Sequence, residues 1–444
     1  MRILHVPYSF YPDPAGGTEV YVEALARCQL RAGFEAAVAA PAPAQAHYTH
    51  AGIPVWRFAS EGRPTLREMY GEGEAGAAEN FSEILDSFRP QLVHLHAMTG
   101  AVSVRLAEAA AARSIPVILN YHTPTVTCLR GTLMKWGSEI CNGLLDQRLC
   151  AACMLHAHGL PRPLASLVAS LPAPVSQLIG RAGLAGAPGT ALRMPELVQL
   201  RIHSFGRMME ILDRVVALCN WTRDLLLLNG VPAAKIVLNR QGITWSGDAF
   251  PNTTPRSVRL PLRAAFLGRS DPAKGAYIMI EALKTNPELP IHLDLFGISQ
   301  GASGDTYAAN LQDLIAGDSR IRLHPPIPSA GVIDRLKDYD FLVVPSQCLE
   351  TGPLVVLESF AARTPVVGSR LGGIAELVTQ GVDGLLVGQF SSSAAWAATL
   401  QDISAAPKLL STLRSGIRPP RHTSQAAADF LPLYEELLQS VKAF

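Results

Sequence analysis

Two loops in the second half of the chain carry charge where charge does chemistry. Gly268-Arg269-Ser270-Asp271-Pro272-Ala273-Lys274-Gly275 puts a guanidinium and an ammonium on one segment directly after the apolar run Ala264–Leu267. A guanidinium grips a phosphate at two points and an ammonium adds a compact charge, so the pair suits a phosphorylated ligand; a solvated surface is the other reading. Further on, Pro345-Ser346-Gln347-Cys348-Leu349-Glu350-Thr351-Gly352-Pro353-Leu354 follows the apolar run Phe341–Val344, and Glu358 stands at an E-x7-E spacing from Glu350. Two glutamates so spaced recur by chance. Here they flank a Gly352-Pro353 helix start, where proline fits the first turn and the amides around Gly352 and Leu354 are expected to face an anion. Near the N-terminus, Gly16-Gly17-Thr18-Glu19 opens a helical pattern with Tyr21, Ala24, Leu25 and Cys28 on one face and Thr18 as the expected cap. Paired glycines give either a tight turn or a close approach of backbone amides to an anion. Their spacing is not the G-x-G-x-x-G of a dinucleotide site, which speaks against nicotinamide chemistry.

Seven cysteines, an odd number in a chain of this length, do not suggest a secreted disulfide scaffold. Four of them, Cys128, Cys141, Cys150 and Cys153, are spaced C-x12-C-x8-C-x2-C in a loop-rich stretch. Four thiolates suit a tetrahedral zinc ion; an iron–sulfur cluster uses the same ligand count, and two disulfides or free thiols are the further alternatives. Arg130, Lys135 and Arg148 would offset thiolate charge, and His156 and His158 are substitute ligands. Zinc would staple a segment with little core of its own. Cys348, two residues before Glu350, is expected to be a buried bystander rather than a nucleophile.

These residues need a frame, and the apolar pattern supplies one. Short runs rich in β-branched residues (Ile3–Val6, Ala36–Ala39, Leu92–Leu95, Val117–Tyr121, Val215–Leu218 and Ile236–Leu238, then Ala264–Leu267, His292–Phe296, Ile321–Leu323, Phe341–Val344 and Pro365–Val367) alternate with helical stretches. Such runs suit parallel sheets covered on both faces, so two α/β doubly wound domains of about six strands each are expected. The break falls in Thr244–Pro261, which holds three prolines. The expected domains are 1–245, with a cysteine-rich insertion at 128–159 and a helical one at 160–210, and 246–423. A C-terminal helix at 424–444 is expected from apolar residues at Phe430, Tyr434, Leu437 and Val441. A formal charge of +1 disfavours binding nucleic acid through bulk charge. No apolar run reaches the ~20 residues of a spanning helix, and the N-terminus reads as a strand rather than a leader, so a cytoplasmic setting is expected. The apolar content of Leu160–Pro195 fits either an insertion packed on the first domain or a contact with an acceptor or a membrane surface.

Together, PDPAGGTE, GRSDPAKG, ETGPLVVLE, PVVGSRLGGIAELV and GVDGLLV give the chain a resemblance, over most of its length, to the retaining nucleotide-sugar-dependent glycosyltransferases of the GT-B fold, family four. The resemblance implies two Rossmann-like domains facing a cleft, a nucleotide-diphosphate sugar, UDP- or GDP-linked, on the second, and a last helix, 424–444, that crosses back onto the first. It implies that Arg269 and Lys274 neutralise the diphosphate, that Glu358 bonds the ribose hydroxyls, that Glu350 lies beside the transferred sugar and that Gly17 offers its amide to the phosphate and acceptor. His122, in Asn120-Tyr121-His122-Thr123-Pro124, stands where similar enzymes place a histidine against the donor sugar. One departure is visible: the family's E-G-F is here Glu350-Thr351-Gly352-Pro353. Retention by same-face attack, without a D-x-D metal motif, is the implied chemistry. The implied acceptor is a glycan or lipid-linked glycan of bacterial surface polysaccharide synthesis. A non-catalytic nucleotide-sugar binder on the same fold is the alternative.

Overall fold

The apolar runs fold as strands of two separate sheets. In chain order the first part contributes β1 (Arg2–Val6), β2 (Glu35–Ala42), β3 (Ala46–His50), β4 (Ile53–Ala59), β5 (Leu92–Leu95), β6 (Val117–Tyr121), a small hairpin of β7 (Met134–Lys135) and β8 (Glu139–Ile140), then β9 (Arg214–Ala217) and β10 (Ile236–Leu238). The second part contributes β11 (Leu262–Arg269), β12 (Ile291–Ile298), β13 (Ile321–His324), β14 (Phe341–Val344), β15 (Val366–Ser369) and β16 (Gly384–Val387). The computed structural model describes residues 1–60, 62, 64–182, 186–245 and 258–442. The expected domain break lies largely in 246–257, outside the described residues.

By packing, the chain divides into two units: Met1–Asp13, Val22–Asn239 and Ala427–Phe444 in one, Pro14–Tyr21 and Arg240–Ala426 in the other. The glycine segment near the N-terminus therefore packs with the second unit, and the C-terminal helix Phe430–Lys442 with the first.

The first unit's sheet runs β10-β9-β6-β5-β1-β2-β4-β3, parallel except for the antiparallel β3–β4 pair. Strands β3 and β4 have no counterpart in the apolar runs. Ala46–His50 is polar and Pro54 interrupts the next run; β3 lies at the sheet edge, where such residues are tolerated.

The second unit's sheet runs β13-β12-β11-β14-β15-β16, all parallel. Alternate residues feed opposite faces. Ala264, Phe266, Leu293, Leu295, Phe341 and Val343 enter one buried cluster, while Ala265, Phe296, Leu342 and Val344 enter another. The strand order reverses between β11 and β14, the place where open α/β sheets bind ligands at the strands' carboxyl ends.

The cysteine segment is held by its neighbour. Helix Gln147–Ala157, capped by Asp146 through Leu149 N–H at 2.7 Å, buries Ala151, Ala152, Met154 and Leu155 against Ala165, Ala169, Met194 and Val198. The segment thus shares a core with the helical insertion that follows it. The helical character of the next stretch appears as Arg162–Ala169, Ala173–Arg181 and Gly186–Ile211.

Candidate functional site

The loops after β11 and β14 leave adjacent strands at the reversal, so their side chains meet. The β11 loop turns through a short 3₁₀ segment, Pro272–Lys274, started by Asp271, whose carboxylate accepts from Ala273 N–H at 2.8 Å. The turn ends at Gly275, φ 76°, where a Cβ would stand 1.9 Å from the Pro345 carbonyl oxygen. Only glycine combines that left-handed backbone with so close an approach. Gln347 N–H donates to the Ala273 carbonyl at 2.7 Å and ties the two loops a second time. Gly275→Ala is therefore expected to cost at least about 1–2 kcal/mol through the left-handed backbone alone, and to push the two loops apart. Thermal unfolding and nucleotide binding measured on the same variant check both effects.

This closure brings Lys274 Nζ to 2.6 Å from Glu350 Oε2, with both side chains largely buried. Ser346 Oγ donates to the other carboxylate oxygen. Gly373 N–H donates to the Glu350 carbonyl at 2.6 Å and holds the loop that carries it. Burial opposes ionisation of both partners. For Lys274 the Glu350 carboxylate outweighs it and raises the ammonium's pKa. For Glu350 the combined pull of Lys274, Ser346 and Arg269 holds the carboxyl below its usual value. Both groups stay charged at neutral pH. Arg269 lies within electrostatic reach of this pair; its own ion pair, with Asp271, is 3.4 Å long and its side chain is 47% exposed. A loosely held guanidinium beside a fixed ammonium is a ready anion site.

Helix Leu354–Ala361 starts from Pro353, so the amides at its head point into the same loop region; Gly352, at φ 144°, makes the entry. Glu358 sits one turn into that helix and is not brought to the cations. Its carboxyl takes no hydrogen bond among the described residues, and burial alone pushes it up to about 7. Cys348 is buried and its thiol is pushed up to about 12, so it stays neutral, as a bystander would.

Gly17 begins helix Gly17–Arg31, and a Cβ on it would lie 3.9 Å from Leu354 Cδ1. Thr18 is not the cap. Gly16 precedes the helix, and Glu19 reaches back to accept its N–H at 2.7 Å, the reciprocal half of a capping box. One amide of the paired glycines is thus already bound by the chain's own carboxylate.

In the first unit, His122 follows β6 and is buried; burial lowers its pKa to about 3, so the ring is neutral. Its Nδ1/Nε2 chemistry is tied to His96, 3.0 Å away.

Cys128, Cys141, Cys150 and Cys153 line one small cavity and none is disulfide-bonded. Four sulfurs about a zinc ion stand ~3.8 Å apart. Among the described residues no three of these thiols converge within 4.8 Å. The expected preformed four-thiolate site, for zinc or for an iron–sulfur cluster, is not assembled here. Burial raises the pKa of the Cys141 thiol and carries that of Cys150 to about 12, so these two stay protonated. Two sulfurs do accept backbone N–H groups at 3.4 Å, Cys141 from Gly143 and Cys153 from Trp136.

Known proteins resemble the chain in sequence and in fold. The family model described as "Glycosyl transferases group 1" matches residues 261–405, and "Glycosyl transferase 4-like domain" matches 16–154; between them they take in more than half of the chain. D-inositol 3-phosphate glycosyltransferase of Thermobispora bispora is 30% identical over 262 residues, 54% of this chain and 60% of that protein. Its namesake in Corynebacterium efficiens is 34% identical over 178 residues, 38% of this chain and 40% of that protein. The chain therefore matches less than two thirds of the length of these relatives. Among solved structures, sucrose-phosphate synthase of Thermosynechococcus elongatus superposes with a TM-score of 0.66 at 18% identity, covering 99% of this chain and 100% of that one. Anabaena HepE in complex with UDP and glucose gives 0.61 at 16%, with both chains fully covered. The fold is GT-B, and the chain belongs to the group 1, family-4-like glycosyl transferases.

Proposed function

We propose that the chain is a retaining glycosyltransferase that takes a sugar from a nucleoside diphosphate held on the second unit and gives it to a hydroxyl acceptor. The observation that carries this reading is the ionised Lys274–Glu350 pair beside Arg269 at the β11–β14 reversal. When the sugar leaves, negative charge grows on the diphosphate. Lys274, Arg269 and the amides at the head of helix Leu354–Ala361 are placed to meet it, each well-aimed donor worth ~3 kcal/mol of barrier. The acceptor hydroxyl attacks the anomeric carbon on the face the phosphate leaves. The new carbon–oxygen bond forms as the old one breaks, and the hydroxyl proton passes to the departing phosphate oxygen. Glu350 holds Lys274 and lies beside the transferred sugar, Glu358 accepts from the ribose hydroxyls, and His122 meets the sugar. Gly17 offers its amide.

The test is turnover on UDP-, GDP- and ADP-sugars, with glycan, lipid-linked and inositol-phosphate acceptors and mass spectrometry of the product. The inositol phosphate is included because relatives bear its name. Transfer with retention supports the reading. Tight nucleotide-sugar binding that survives Glu350→Ala, with no turnover in the parent, would instead support a non-catalytic binder.

We favour a glycan or lipid-linked acceptor of surface polysaccharide synthesis, reached at the inner face of a membrane. Among the described residues no single helix is long and apolar enough to span a bilayer, but the bent pair Arg162–Ala169 and Ala173–Arg181 exposes Leu164, Leu167 and Leu178 between Arg162 and Arg181. Apolar tips with flanking cations suit an anionic lipid surface. Co-sedimentation with anionic vesicles at low salt is expected, and Leu167→Glu with Leu178→Glu should abolish it; a parent chain that stays in the supernatant rules the contact out.

For the cysteine segment we propose zinc uptake that draws the four thiols together, supported by their shared cavity and the two N–H···S bonds. Elemental analysis should find about one equivalent of zinc, lost with Cys150→Ser and Cys153→Ser together. Less than half an equivalent in the parent removes the reading.

A further inference from the structure

Behind His122 the first unit holds three more buried histidines, which the chemistry above leaves unused. His5 lies in β1, His94 in β5, His96 just beyond β5 and His122 just beyond β6, so parallel strands stack their rings side by side. All four are buried, and burial lowers the pKa of each well below its ordinary value, to about 4 for His5 and about 3 for His122. A neutral imidazole carries one N–H and one lone pair, so each ring must donate from one nitrogen and accept at the other.

The contacts form one line. His122 Nε2 is 3.0 Å from His96 Nδ1, and His96 Nε2 is 3.0 Å from His5 Nδ1. His5 Nε2 is 2.7 Å from Gln29 Oε1, and Gln29 Nε2 donates to Tyr434 Oη at 3.2 Å. Tyr434 Oη is 2.9 Å from His94 Nδ1, and His94 Nε2 is 2.9 Å from Asn120 Oδ1. The two amides settle the direction. Gln29 Oε1 only accepts, so His5 carries its proton on Nε2, His96 on Nε2, and His122 on Nε2. Asn120 Oδ1 also only accepts, so His94 carries its proton on Nε2 and Tyr434 donates to Nδ1, which leaves Tyr434 oxygen to accept from Gln29. Both amides give every bond the same polarity, and reversing it requires both to turn over.

His5, His94 and His96 also bring one nitrogen each within 4.8 Å of the others. Two imidazoles on one ion at ~2.1 Å would hold their nitrogens ~3.4 Å apart. The 3.0 Å separations here are those of shared protons.

We propose that Gln29, His5 and His96 are positioning residues that fix His122 as its Nε2–H tautomer, with Tyr434, His94 and Asn120 setting the far end of the chain. This rests on the reading of His122 as the group that meets the transferred sugar. In that tautomer Nδ1 carries the lone pair, so His122 accepts a hydrogen bond from a sugar hydroxyl and cannot donate one. The C-terminal helix takes part through Tyr434, which ties its docking to the state of a ring on another strand.

Nitrogen NMR of the full chain labelled in histidine tests this directly. In the parent, His122 is expected to show a protonated Nε2 and an unprotonated Nδ1, unchanged from pH 8 down to pH 5. Gln29→Glu keeps an acceptor for His5 and should preserve that signature. Gln29→Met removes the acceptor and should give a mixture of tautomers, with kcat lowered about tenfold and the donor KM little changed. A protonated Nδ1 on His122 in the parent, or a signature in Gln29→Met identical to the parent's, overturns the proposal. If Gln29→Met does not fold, the parent spectrum alone decides. A chain with the expected signature but no transfer activity would sink the transferase reading and leave the relay standing.

Discussion

Lys274→Ala is expected to lower kcat/KM for transfer by at least about 10³, with donor affinity falling at least a hundredfold. Two losses add. The first is the positive charge facing the diphosphate, worth ~3 kcal/mol in the transition state. The second is Glu350, left as a buried carboxylate without its cation. Burial pushes that carboxyl upward and Lys274 is the largest influence holding it down, so the variant should also be less stable. The double variant Lys274→Met with Glu350→Gln separates the two. It removes both buried charges and should recover most of the stability, because no ion is stranded. It should not recover donor binding, because the phosphate-facing charge is still gone. A purely structural salt bridge would give the opposite outcome: transfer restored along with stability. Calorimetric titration of nucleotide sugars and thermal unfolding on the three proteins are the measurements.

Donor affinity should also fall steeply on acidification, through Glu358. Its folded pKa is about 7 against 4.5 in the unfolded chain, and burial is the cause. Ribose hydroxyls donate best to the ionised carboxylate, which predominates above pH 7. Below that value each pH unit should cost up to about tenfold in donor affinity, since binding must first expel a proton. Stability runs the other way. The proton retained by the folded state stabilises it fully below pH 4.5, and that contribution is lost as pH rises through 7. Glu358→Gln should abolish both slopes, leave the fold at least as stable at pH 8, and weaken donor binding about tenfold by replacing a charge-assisted bond with a neutral one. Titrations between pH 5 and 8 on parent and variant read both signs. A flat pH profile in the parent would remove Glu358 from the ribose.

Much of this was legible in the sequence because parallel sheets buried on both faces leave uninterrupted apolar runs, and their ends mark where loops emerge. GRSDPAKG and the Glu350 loop could be placed after β11 and β14 on that ground alone. Their convergence could not, because strand adjacency is set by the order β13-β12-β11-β14, a long-range fact. Ser346, bonded to Glu350 four residues on, was missed; a serine in a loop carries no pattern. Glu19 was given no role and Thr18 was expected as the cap, although the spacing of Glu19 from Gly16 is that of a capping box. The histidine chain did leave a trace: His5, His94 and His96 interrupt apolar runs, and a polar ring in a buried strand must find partners. The cysteine spacing suggested a metal site, whereas the sulfurs share a cavity without converging and the segment packs against the helical insertion that follows it.

The most direct measurement is calorimetric titration of UDP-, GDP- and ADP-sugars into the full chain and into Arg269→Ala with Lys274→Ala. One nucleotide sugar should bind the parent at a single site, and the double variant should bind it at least a hundredfold more weakly. Binding that is undiminished in the variant, or no heat from any of the three classes in the parent, would show that the β11–β14 loops do not hold a pyrophosphate.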